Sequence, residues 1–185
     1  MADDISGIGF ERVTSRKAKR NKRTINILGD SVVKSIQAHK MQYDMASTDK
    51  VYVKCFSGAV TSDFTHHAKP SQKYSPNMFI CHLGSNDLKT AKTPEMIAKE
   101  IIKFGLELKT SDNEVLISGI TYRDDRLNEK GMKVNSLVKS LCSENSLGYI
   151  DNGIIQKKHL NGSGIHLNMD GTAALAINFL DAIDA

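Results

Sequence analysis

Apolar residues fall along this chain in short blocks of two kinds. Ile25–Leu28, Val51–Phe56, Asn77–Leu83, Glu114–Ser118 and Tyr149–Ile150 are compact runs of strand length. In the third, Met78, Phe79, Ile80, Cys81 and Leu83 are nearly continuous, as in a strand buried on both faces. Between these runs apolar positions recur at helical spacing. Val32–His39 reads as a helix, and Ala59–Ala68 as a short one broken by Pro70. Thr93-Pro94-Glu95 opens a third, with Thr93 as N-cap and Ile97, Ile101, Phe104 and Leu108 following on one side. Arg126–Glu144 reads as a fourth. After an irregular stretch from Asp151 to Leu167, a last helix runs from about Asp170 to Ile183.

Strand and helix in alternation predict an α/β fold. The expected form is a central parallel five-stranded sheet with right-handed crossovers and helices on both faces. No repeat or low-complexity segment interrupts the pattern. In such folds ligands lie beyond the carboxyl ends of the strands. The turns that follow the strands are therefore where chemistry is expected.

Composition narrows the class. The 185 residues, 40% hydrophobic and 25% charged, describe one soluble domain of residues 24–185 behind a flexible, basic lead-in of residues 1–23. No apolar run reaches the roughly 20 residues of a transmembrane segment, and no signal-peptide core is visible. Cys55, Cys81 and Cys142 are odd in number and lack metal-like spacing, so they read as free thiols in a reducing, intracellular (cytoplasmic or nuclear) setting. His66, His67 and His82 have no partners at ligand spacing; the first two read as surface and the third as core, with no metal and no cofactor expected. The net charge of +4 is concentrated in Arg16, Lys17, Lys19, Arg20, Lys22 and Arg23. That run is either a nucleic-acid contact, by phosphate neutralisation, or a solvated linker.

The post-strand turns carry a coherent set of groups. Gly29-Asp30-Ser31 follows the first strand, Ser57-Gly58-Ala59 the second and Gly84-Ser85-Asn86-Asp87 the third. Ser163-Gly164-Ile165-His166 precedes the last helix. Acyl transfer needs a nucleophile, a base and donors for an oxyanion. Ser31 supplies the first and His166 the second. The Ser31 and Gly58 backbone amides and the Asn86 side chain supply the third. Asp30 and Asp87 read as supports of their turns. Tyr122–Arg126, on the same edge, reads either as lining the site or binding an anionic substrate, or as a solvated loop.

These four blocks, in this order, resemble the SGNH hydrolase (GDSL-type esterase/lipase) family, over roughly residues 24–183. The resemblance implies a three-layer α/β/α sandwich with flavodoxin-like strand order and cofactor-free hydrolysis of a small-molecule or lipid ester. Within the family the chain looks most like the esterase-like domains of animal retrotransposon-related proteins. One position departs from the pattern: the family's aspartate three residues before the histidine is Ser163 here. A Ser31–His166 dyad is the resulting expectation, with weak turnover or binding alone as the consequence. With no long apolar lid in the sequence, a short acyl or acetyl group is expected.

Overall fold

In a computed structural model, which describes residues 22–45 and 48–185, five parallel strands form one sheet. They are β1 (Thr24–Gly29), β2 (Lys50–Cys55), β3 (Met78–His82), β4 (Glu114–Ser118) and β5 (Gly148–Ile150). Their order is β2-β1-β3-β4-β5, the flavodoxin-like arrangement. β3, the continuous apolar run, is buried at every position, whereas edge strand β2 exposes Lys50 and Tyr52. The register pairs Gly29 with both Cys55 and His82, so the first three strands end level with one another. Ligands in doubly wound sheets sit where the strand order reverses. That switch point lies between β1 and β3.

Helices α1 (Ala38–Asp44), α2 (Thr61–Gln72), α3 (Pro94–Leu108), α4 (Asn128–Glu144) and α5 (Met169–Asp184) divide between the two faces. One core joins Leu28, Phe79, Cys81 and Val115 to Phe64, Ile101 and Val138 of α2, α3 and α4. The other joins Ile25, Ile27, Val51 and Ile80 to Met41 of α1 and Leu175 and Phe179 of α5. The three layers expected from the pattern are present. Among the described residues, no helix is long and apolar enough to cross a membrane.

Two helices differ from the reading of the sequence. The stretch Val32–His39 is not one helix: a 3-10 turn, Ser31–Ser35, gives way to extended backbone at Ile36 and Gln37 before α1 begins. A continuous α-helix would place Met41 about 140° round from Ile36. The break lets both side chains enter the same core. Likewise α2 passes through Pro70 to Gln72. Pro70 is exposed and withholds only one late hydrogen bond, while the final turn is anchored from outside. Asn26 Nδ2 donates to the Ser71 carbonyl at 3.1 Å, and Gln72 Nε2 to the Glu107 carbonyl at 3.1 Å.

The basic run lies largely outside the described residues, which include only Lys22 and Arg23. Arg23 belongs to the fold: its backbone N–H and Nε each reach Asp49 at 2.8 Å, and Nη2 donates to the Ile183 carbonyl at 3.0 Å. These bonds tie the entry of β1 to β2 and to the end of α5.

Candidate active site

Ser31 is the first residue of the turn that leaves β1, and Asp30 caps that turn by accepting the Val32 N–H at 2.9 Å. Gly29 makes the turn possible. A Cβ there would lie 2.8 Å from both methyls of Val33 and 3.1 Å from the His82 carbonyl. From the other end of the chain, His166 sits on a tight hairpin closed by the Asn161 N–H donating to the His166 carbonyl at 2.8 Å and by pairing of Leu160 with Leu167. Asn168 then caps α5 through the Gly171 N–H. Gly171 admits the hairpin, because a Cβ would run into the His159 carbonyl.

The outcome is a contact between residues 135 apart in sequence: Ser31 Oγ lies 3.2 Å from His166 Nε2. Both line a groove of about 430 Å³, whose walls also include Lys34, Ser35, Ser57, Asn161 and Thr172. Ser163 Oγ lies 3.4 Å from His166 Nδ1, on the far side of the ring. An adjoining depression of about 660 Å³ shares Ser35, Leu167 and Thr172 with the groove and continues between α1 and α5 over Met41, Ala173 and Leu180.

Gly58 and Asn86 do not line this groove, but they are coupled to one another. Gly58 takes a left-handed φ of +81° on the exposed loop after β2. Asn86 Nδ2 donates to the neighbouring Ala59 carbonyl at 3.0 Å, which leaves its second N–H available. The Ser31 and Gly58 backbone N–H groups find no acceptor among the described residues. Asp87, fully buried, fastens the two loops by accepting the Thr61 N–H and hydroxyl at 2.8 and 2.9 Å.

Two supports escaped the sequence. Arg123, 2% exposed, neither lines the groove nor forms part of a solvated loop. It donates to Ser85 Oγ at 3.0 Å and to Asp125 at 2.6 Å, holding the segment that presents Asn86. The next residue, Asp124, donates its N–H to the Gly164 carbonyl at 2.8 Å, so one loop braces both halves of the site. The second is Asn161, whose only local mark is an ordinary turn signal, an Asn two residues before a serine.

Electrostatically the odd group is Asp30. Burial pushes its carboxyl up to about 6, helped by Asp87 and opposed by the Val32 N–H, Arg123 and Lys89. Its Oδ2 has no hydrogen-bond partner among the described residues. The folded chain therefore holds this proton more tightly than the unfolded chain, whose value is near 3.8. Stability from this group is full below that value and declines as pH rises to about 6. The loss amounts to about 3 kcal/mol. Asp30→Asn keeps the acceptor for Val32 and removes the titration. Thermal melts from pH 4 to 7 should show the variant gaining on the wild type as pH rises; parallel curves would refute the assignment. His82, fully buried with Nδ1 2.9 Å from Ser118 Oγ, is pushed down to about 4 and stays neutral. Among the described residues, no cluster of three or more His, Cys, Asp or Glu could hold a metal.

The sequence matches no protein-family model and no curated protein. Solved structures do match. An aryl esterase from M. smegmatis superposes with a TM-score of 0.76 at 15% identity, over 88% of this chain and 98% of that one. A carbohydrate acetylesterase from Sinorhizobium meliloti gives 0.74 at 19%, over 88% and 99%. A member of the lipolytic G-D-S-L family from Veillonella parvula gives 0.69 at 18%, over 85% and 96%. The chain shares the fold of these proteins.

Proposed function

We propose that the protein is a serine esterase that hydrolyses carboxylic esters, with a short acyl or acetyl group, through a covalent acyl-enzyme. The observation that carries this reading is the 3.2 Å contact between Ser31 Oγ and His166 Nε2 in an open groove at the carboxyl edge of the sheet. The esterases and the lipolytic protein among the structural neighbours agree with it.

In the mechanism, Ser31 Oγ bonds to the ester carbonyl carbon while its proton passes to His166 Nε2. Negative charge develops on the carbonyl oxygen, for which the Ser31 and Gly58 N–H groups and the second Asn86 N–H are the donors. Collapse breaks the bond to the alcohol, which leaves with the proton from Nε2. Water then attacks the acyl-enzyme by the same steps in reverse roles, releasing the acid and restoring Ser31.

A serine-reactive fluorophosphonate should label Ser31, located by mass spectrometry of the digest; labelling elsewhere or none would refute the reading. Across nitrophenyl esters, kcat/KM should fall from acetate and butyrate to octanoate, given the small polar groove. The reverse order would instead place the acyl chain in the apolar depression between α1 and α5.

A separate reading concerns the lead-in, where Arg16, Lys17, Lys19, Arg20 and Lys22 form a nucleic-acid contact; Arg23, committed to Asp49, is not part of it. It is supported by charge density alone. Salt-dependent RNA or DNA binding that is lost on deleting residues 1–22 tests it. A retrotransposon-related origin would suit such a pairing of activities.

A further inference from the structure

We propose that the tautomer of His166 is set by an uncharged relay, Asn161 to Ser163 to His166, in which Asn161 and Ser163 are positioning residues for the general base. The inference rests on the esterase reading and replaces its simple dyad.

The argument turns on a single hydroxyl proton. Asn161 Oδ1 accepts the Ser163 backbone N–H at 2.9 Å, which fixes the amide with its oxygen towards Ser163. Ser163 Oγ lies 2.6 Å from the same oxygen. Two oxygens this close require a proton between them, and only the hydroxyl has one to give. The Ser163 O–H is therefore spent on Asn161, and its lone pairs face the other way. There two lone pairs are shared among three groups, the Ile165 N–H at 3.3 Å, the His166 N–H at 3.2 Å and His166 Nδ1 at 3.4 Å, so the contact to the ring is one branch of a three-centre arrangement. A lone pair towards Nδ1 calls for a proton on Nδ1. The ring's remaining nitrogen, Nε2, then presents its lone pair to Ser31 Oγ, as a general base must.

The relay supplies orientation and a dipole but no negative charge for the imidazolium that forms during the reaction. Charged side chains on the adjoining elements include Lys34 in the groove wall, the Asp124–Lys157 pair against Gly164, Lys158 before the hairpin and Asp170 at the start of α5. Among the described residues, none of them bonds the ring.

The test reads the tautomer directly. In protein with 15N-labelled histidine, using His166→Gln to assign the resonance, His166 at neutral pH should carry its proton on Nδ1. Ser163→Ala and Asn161→Ala should each mix in the Nε2–H form and lower kcat about 10-fold with KM nearly unchanged. Ser163→Thr, which keeps the hydroxyl, should restore both. Ser163→Asp should raise kcat and shift the acidic limb of the kcat/KM profile to higher pH, because a carboxylate stabilises the imidazolium. A wild-type Nε2–H tautomer, or an Asn161→Ala variant unchanged in tautomer and kcat, would overturn the relay. Because the tautomer is read without substrate, an Nδ1–H ring in a protein that hydrolyses no ester would sink the esterase reading and leave the relay standing.

Discussion

Ser31→Ala should lower kcat/KM for nitrophenyl acetate by roughly 10²–10⁴-fold while leaving the melting temperature within about 1 °C of wild type. The range follows from what the site lacks. Removing the nucleophile from a complete serine triad costs about 10⁶-fold, and spoiling the acid behind the histidine costs about 10⁴-fold, largely through the wrong tautomer. Ser163 keeps the tautomer but not the charge, so the wild-type rate starts below that of a full triad and the fall to background is shorter. Stability should hold because the Ser31 hydroxyl is half-exposed and, among the described residues, bonds only His166. Equal rates for the two proteins would dismiss Ser31 as the nucleophile.

Much of this was legible in residue order. The strands were, because short apolar runs such as Met78–Leu83 alternate with helical segments, the pattern of a parallel sheet covered by helices on both faces. The meeting of Ser31 and His166 at one edge of the sheet was, because each sits in a turn whose place is set by the elements around it. What escaped depended on contacts between turns distant in sequence. Nothing local distinguishes the buried Arg123 from a surface arginine; its role exists only because Ser85, 38 residues earlier, ends beside it. Whether Ser163 gives or receives a proton depends on the amide of Asn161, which no spacing encodes. The break after Ser35 was missed for a related reason. Helical periodicity reports one face, and two short segments that serve one core from different angles imitate a single helix.

Asp87→Ala should destabilise the protein by about 3–5 kcal/mol, the largest loss expected from any one polar side chain in the site. The carboxylate is fully buried and has three partners: the Thr61 N–H, the Thr61 hydroxyl and Lys92 Nζ at 3.3 Å. Truncation strands two buried donors at the start of α2 and loosens an ammonium that Glu100 also holds. Asp87→Asn should cost less, because an amide oxygen in the place of Oδ2 still accepts both bonds from Thr61, and only the contact from Lys92 to Oδ1 is lost. The activity should tell more than the melt. Asp87 is the strut between the loop that carries Gly58 and the segment that carries Asn86, the two remote donors proposed for the oxyanion. Well below its melting temperature, Asp87→Ala should therefore lose kcat with little change in KM, since those donors act on charge that develops only in the transition state. Fluorophosphonate labelling should slow in parallel, because attack at phosphorus builds the same oxyanion. A variant that melts early yet labels and turns over like the wild type would confine Asp87 to holding the fold. It would also take Gly58 and Asn86 out of the proposed chemistry.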